Sequence, residues 1–178
     1  MINNAYKIDN TYAFFTYING DYYVIINSQQ MVPIDFQSLL DVIVDQWQEQ
    51  NVNLKYCNKG LNKKVVYANK KLLRRVFDNV IENAIKYGNS CQINAGIDEQ
   101  WVVVSMIDQG AGVKEEHVER MFEPFVKNHA LSGSGLGLAI AKRIIEGHGG
   151  QISAKNVVKD NQACGLCIKI ILPIMSGS

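Results

Sequence analysis

The sequence predicts an α+β fold, a two-layer α/β sandwich in which helices cover one face of a mixed β-sheet. Two observations carry that expectation. Three stretches show the 3.6-residue apolar period of amphipathic helices, and several short segments alternate as strands do. The two types also mix along the chain without regular β-α-β alternation, which argues against a doubly wound parallel sheet.

The first thirty residues are rich in Tyr, Phe and Asn, with a turn signal at Asn19-Gly20 and a strand over 22–26. Pro33 followed by Asp35 opens a helix running to about residue 49, with Phe36, Leu39, Leu40, Ile43, Val44 and Trp47 on one face. Short strands are expected over 52–56 and 65–67. A long helix covers 70–87 and stops at Gly88. Strands over 91–97 and 101–107 are joined by the polar turn Asp98-Glu99-Gln100. A loop region, 108–134, holds a short helix near 115–121. The last helix, 136–146, ends in Gly147-His148-Gly149-Gly150, and strands over 151–157 and 165–172 close the chain before Pro173.

The bulk properties exclude several classes. With 47% hydrophobic and 20% charged residues among 178, the composition is that of one globular core. A net charge of +1 gives no electrostatic reason to expect nucleic acid or an anionic membrane as partner. The longest apolar stretches, 101–107 and 136–145, fall well short of the ~20 residues of a spanning helix. The first ten residues lack the basic and apolar regions of a signal peptide. Of the four cysteines, Cys164 and Cys167 form a C-x-x-C, but no second pair stands at metal spacing and residues three apart on a strand face opposite ways. Reduced thiols of a cytosolic protein are expected.

Three segments carry chemistry. On the long helix Asn79, Asn83, Lys86 and Tyr87 stand at i, i+4, i+7 and i+8 and share a face, while Leu73, Phe77, Val80, Ile81, Ala84 and Ile85 form the apolar side. Carboxamide oxygens are hard, uncharged ligands suited to Mg²⁺, and the lysine supplies charge for phosphate; a solvated polar face is the plainer reading of the same spacing. Next, Asp108-Gln109-Gly110-Ala111-Gly112 directly follows an apolar strand. An acid there can accept a hydrogen bond while two glycines let the backbone approach a flat ligand, although Asp and Gly are also the commonest turn residues. Finally, Gly133-Ser134-Gly135-Leu136-Gly137-Leu138 leads into a helix, so its N–H groups and the helix dipole could receive an anion. It is neither a Walker A loop nor a good dinucleotide fingerprint.

Taken in order, these segments resemble the catalytic domain of histidine kinases within the GHKL, or Bergerat-fold, ATPase superfamily. The stretch 79–87 resembles the N box, 108–112 the G1 box, Phe122-Glu123-Pro124-Phe125 the F box and 133–138 the G2 box. The resemblance extends from about 32 to 173 and implies an ATP-binding domain over 31–175. Residues 1–30 remain as an N-terminal segment, of which 7–19 read either as the tail of a dimerisation helix or as a strand pair of its own.

By that resemblance Asn79 and Asn83 would hold Mg²⁺ against the phosphates of ATP, and Lys86 would contact phosphate. Tyr87 would lie beside the adenine or ribose, Asp108 would accept the adenine amino group, and Gly110 and Gly112 would shape the pocket. The lid would begin at Val113 and run to about 132, with Phe122 and Phe125 anchoring it and Lys127 available to phosphate. Gly133, Gly135 and Gly137 would close around the phosphates, with Ser134, Leu136 and Leu138 of the same segment also binding the nucleotide. Family kinases often carry Arg near the position of Lys127, and lysine lacks its bidentate fork.

Two departures bear on mechanism. GHKL hydrolases carry a water-activating glutamate four residues before the magnesium Asn, and this chain has Asn79 there. Glu82 stands next to Asn83 in sequence but is turned about 100° around the helix. The family's acceptor-histidine motif is also missing. The histidines are His117, His129 and His148; the first two fall in the lid and the third in the glycine turn that ends the last helix.

The implied protein is therefore a kinase domain that binds ATP, does not phosphorylate itself, and is monomeric when isolated. Its implied partners are a histidine-bearing dimerisation domain and then a response regulator. This segment would be cytoplasmic and would not touch the membrane, with its parent anchored in the cell membrane. The alternatives are an anti-sigma-type protein-serine kinase and a non-catalytic nucleotide-binding module.

Overall fold

The computed structural model describes residues 31–125 and 135–175 in full and, within the first thirty, the backbone of three strands. Those strands are β1 (Ile2–Ile8), β2 (Thr11–Ile18) and β3 (Asp21–Ile26), joined in order as an antiparallel sheet. The helical reading of 7–19 gives way to strands because Thr, Tyr and Phe crowd positions 11–17, and these residues favour extended backbone. The turn expected at Asn19-Gly20 lies outside the described residues.

A two-stranded antiparallel ribbon follows, made by β4 (Val32–Asp35) and a later strand that pairs Tyr67 with Pro33. Pro33 therefore sits in a strand and does not open the helix. A short ribbon tolerates a residue that cannot donate. Helix α1 (Phe36–Gln48) starts at Asp35, whose carboxylate accepts from the Ser38 N–H at 2.9 Å. It buries Phe36, Leu39, Leu40, Ile43 and Val44, while half-buried Trp47 donates its indole N–H to Asp78 at 2.9 Å.

After β5 (Leu54–Lys59) and β6 (Val65–Ala68), Asn69 caps helix α2 (Lys70–Gly88) by accepting from the Leu72 N–H at 3.1 Å. Leu72, Leu73, Val76, Phe77, Val80, Ile81 and Ala84 form its buried side. The residue that turns the chain out of α2 is Asn89, in the left-handed conformation at φ 54°, and not Gly88.

Strands β7 (Cys91–Asp98) and β8 (Trp101–Ile107) lead through the short helix α3 (Glu115–Val118) and a 3₁₀ turn (Glu119–Phe122) to helix α4 (Gly137–Gly147). Then β9 (Gln151–Lys159) and β10 (Gln162–Pro173) complete a five-stranded sheet of order β5-β7-β8-β10-β9, with β5 parallel to β7 and the other pairs antiparallel. The period-2 alternation turns Cys91, Ile93 and Ala95, then Val102, Val104 and Met106, then Ile168, Ile170 and Leu172 into one core with the buried sides of α1, α2 and α4. Phe36 and Phe77 meet edge to face at 5.9 Å within it. All four cysteines are free, with Cys164 exposed and Cys167 buried. Among the described residues no group of His, Cys, Asp and Glu could hold a metal, and no helix is long and apolar enough to cross a membrane.

His148 ties two helix ends together. Its Nε2 accepts from the Asn69 N–H at 3.0 Å, so Nδ1 carries the proton and donates to the Ile144 carbonyl at 2.6 Å. Burial lowers its pKa below 6.5, opposed in part by the Ile144 hydrogen bond. Because the folded value lies below the unfolded one, the unfolded chain takes up the proton first as pH falls. Stability is full above pH 6.5 and is lost as pH drops toward the folded pKa, by at most about 1.4 kcal/mol per unit. The urea midpoint is expected to be level above neutrality and to fall below it, with a shallower fall in His148→Leu. Equal slopes in the two proteins would remove His148 as the cause.

Candidate functional site

Asp108 follows β8 directly and is only 9% exposed. Its Oδ1 accepts from the Gly110 N–H at 2.8 Å and the Leu166 N–H at 3.1 Å, and its own N–H donates to the Leu166 carbonyl at 3.0 Å. Oδ2 has no hydrogen bond among the described residues. One carboxylate oxygen is thus fixed by backbone while the other stays available to a ligand.

Glycines make the room for this side chain. A Cβ on Gly88 would stand 2.5 Å from the Asp108 Cβ, one on Gly110 would stand 2.9 Å from the Tyr87 carbonyl oxygen, and one on Gly165 would overlap the Asp108 carbonyl oxygen. Gly88 is thus required by contact with Asp108 and not by the helix end. Below it, burial pushes the Cys91 thiol up to about 12, and the Asp108 charge adds to the shift.

Helix α2 links Asp108 to the start of α4. Its last turns touch Asp108 and Gly110, while Asn79, further up, donates from Nδ2 to the Gly137 carbonyl at 3.2 Å. Asn79 and Asn83 are half-buried, and the carboxamide of Asn83 makes no hydrogen bond among the described residues. Lys86 and Tyr87 are exposed, with the Lys86 ammonium 5.2 Å from the centre of the Tyr87 ring. The polar stripe read from the sequence is therefore one surface running from Asp108 to the N-terminus of α4. The N-cap residue, Leu136, offers no side-chain acceptor, so the first N–H groups of α4 have no side-chain cap among the described residues.

The predicted lid is described up to 125. Gly112 turns at φ 74°, and Val113 follows with both its main-chain groups bonded to Asn156: the N–H to Oδ1 at 2.8 Å and the carbonyl to Nδ2 at 2.7 Å. Half-buried Phe122 packs on the core, whereas Phe125 is 40% exposed at φ 63° and donates its N–H to the Gly135 carbonyl at 3.1 Å. That bond brings the two ends of the 126–134 stretch together. Leu136 is buried and Leu138 packs on the core, so these two candidates hold the segment down and present backbone to the site. Lys127, Gly133, Ser134 and His129 lie outside the described residues.

Three contributors escape a sequence reading. Gly165 stands 57 residues from Asp108 and looks like an ordinary strand glycine. Asn156 looks like one polar residue in a closing strand, although Asn is a poor strand former, which was a faint signal. The contact of Asn79 with Gly137 spans 58 residues and has no local signature.

A sequence profile of the family described as histidine kinase-, DNA gyrase B- and HSP90-like ATPase matches residues 68–175, more than half of the chain. Among curated proteins, the signal transduction histidine-protein kinase BaeS of Escherichia coli (strain K12) is 31% identical over 160 residues, covering 82% of this chain and 32% of BaeS. The adaptive-response sensory kinase SasA of Prochlorococcus marinus is 35% identical over 120 residues, covering 63% of this chain and 31% of SasA. The chain thus spans about a third of the length of these relatives.

Among solved structures, the mycobacterial sensor histidine kinase MprB superposes with a TM-score of 0.69 at 25% identity, covering 82% of this chain and 98% of that one. The catalytic domain of histidine kinase ThkA gives 0.68 at 27% identity, covering 82% and 96%. The α+β sandwich, the order of the segments around Asp108 and α2, and the profile match agree: this chain belongs to the histidine kinase-, DNA gyrase B- and HSP90-like ATPase family.

Proposed function

We propose that this chain is the ATP-binding catalytic domain of a sensor histidine kinase, passing the γ-phosphate of ATP to a histidine on a separate dimerisation domain. The observation that carries the reading is the one surface of α2. Among the described residues it has a carboxylate with an unbonded oxygen at one end and a helix N-terminus without a side-chain cap at the other, which suits a purine amino group and a triphosphate.

In this reading Asp108 Oδ2 accepts from the adenine amino group, and Gly110 and Gly112 let backbone lie against the ring. Tyr87 covers the adenine or ribose. Lys86 and Lys127 supply charge to phosphate, and the N–H groups of 133–138 close on it. Asn79 Oδ1 and the Asn83 carboxamide make no hydrogen bond among the described residues, so two neutral hard oxygens would suit Mg²⁺. Bound there, Mg²⁺ would supply charge neutralisation for the phosphates. The residues themselves orient ATP for in-line transfer. Asn79, which cannot take a proton from water, favours transfer over hydrolysis.

Partners follow from the same reading: the dimerisation domain of the parent protein, then a response regulator, with this domain a monomer on the cytoplasmic side, where ATP is held, and the parent anchored in the cell membrane.

Calorimetric titration with Mg-ADP tests the site, and magnesium-dependent binding is expected. Labelled ATP tests the transfer. The chain alone is expected to gain no phosphohistidine, because none of its three histidines stands in the acceptor motif and His148 is buried with both ring nitrogens bonded. Label is expected on a histidine when the dimerisation domain is added. Label on a serine of a partner would turn the reading to a serine kinase, and phosphohistidine on this chain would overturn the division of labour.

A further inference from the structure

We propose that Asn156 is a positioning residue of the nucleotide site, fixing the first residue of the lid and with it the loop that walls the purine. The inference rests on the reading of 108–112 as purine-facing.

Asn156 lies on β9, an edge strand of the five-stranded sheet. Val113 has two main-chain hydrogen bonds among the described residues, and both go to the Asn156 carboxamide, at 2.8 Å and 2.7 Å. The side chain does for Val113 what a neighbouring strand would do, accepting from its N–H and donating to its carbonyl. The same Nδ2 stands 3.3 Å from the Glu115 carboxylate at the start of α3, so one amide holds two points of the lid's first turn. Immediately before, Gly112 passes through its left-handed turn so closely that a Cβ there would stand 2.8 Å from Asn156 Oδ1 and 2.7 Å from the Ala163 Cβ.

The loop 108–113 is therefore held at both ends. Asp108 fixes the start through Gly110 and Leu166, and Asn156 fixes the exit. With Val113 fixed, the purine-facing loop keeps its shape whatever conformation the segment after it adopts. Without Asn156, Val113 would lose both of the main-chain hydrogen bonds it has among the described residues, and the exit of the loop would no longer be held.

The test compares the wild-type chain with Asn156→Ala and Asn156→Asp. Aspartate keeps the size and the acceptor but cannot donate to the Val113 carbonyl and meets Glu115 with like charge. Both variants are expected to bind Mg-ADP about tenfold more weakly at temperatures where all three proteins are folded. Hydrogen exchange at the Val113 amide is expected to speed up about tenfold or more while exchange in α1 is unchanged. Wild-type affinity in Asn156→Asp would show that size and not the paired hydrogen bonds matters, and would overturn the proposal. A lower melting temperature with unchanged affinity would make Asn156 merely structural and do the same. Failure of the wild-type chain to bind Mg-ADP would remove the nucleotide reading, whereas unchanged Val113 exchange would remove the hold itself, so the two failures are distinguishable.

Discussion

Gly165→Ala is expected to abolish Mg-ADP binding, with at least a hundredfold loss of affinity, and to lower the melting temperature by roughly 5–10 °C. The new methyl group would overlap the carbonyl oxygen of Asp108, a backbone atom that cannot rotate aside. Relief requires the end of β8 and the start of β10 to separate, and that breaks both the Asp108 N–H bond to Leu166 and the Leu166 N–H bond to Asp108 Oδ1. Overpacking of this kind costs about 1–3 kcal/mol in stability. The affinity loss is expected to exceed that share, because the displaced residue is the one proposed to meet the purine. Calorimetry and thermal unfolding of the same samples check both parts. An alanine variant that keeps wild-type affinity would mean that Asp108 does not face the nucleotide.

Asp108→Asn is expected to leave the fold intact while weakening Mg-ADP binding about ten- to a hundredfold, or ~1.5–3 kcal/mol. The carboxamide oxygen can still accept from Gly110 and Leu166, so the bonds that hold the loop survive. The amide nitrogen then takes the place of Oδ2 and presents a donor to the adenine amino group, itself a donor. Melting temperature close to wild type with a large affinity loss is the expected pair of results. Mg-GDP, whose purine carries an oxo group at that position, is expected to lose less than Mg-ADP. Equal losses for the two nucleotides would place the base elsewhere.

Read together, the two variants separate shape from chemistry. Gly165→Ala moves the carboxylate, and Asp108→Asn changes only what it can accept. The same distinction marks how much of the site was legible in the amino-acid order. Its helical part was legible because α2 is amphipathic: the 3.6-residue period that buries Val76, Val80 and Ala84 leaves Asn79, Asn83, Lys86 and Tyr87 together on another face. Asp108 was legible because it follows an apolar strand and precedes two glycines, and strand-end loops are where backbone is free to meet a ligand.

What local order could not carry was the role of residues acting across the fold. Gly88 was read as a helix stop, yet Asn89 supplies the left-handed turn and Gly88 makes way for Asp108. Pro33 and Asp35 together signal a helix start, yet only the capping carboxylate of Asp35 sets it, while Pro33 pairs in a ribbon. Leu136 and Leu138 stand among the glycines of the same segment, and their side chains pack on the core.

The chain's periodicities and capping residues suffice for its fold class and for most of its elements, since propensity, alternation and caps act within a few residues of themselves. Asn156 and Gly165 acquire their roles from antiparallel pairings that bring β9 and β10 beside residues 108–113. A hydrogen bond or a steric limit between positions more than forty apart has no local signature. It exists only once the sheet has formed and register has chosen which atoms meet.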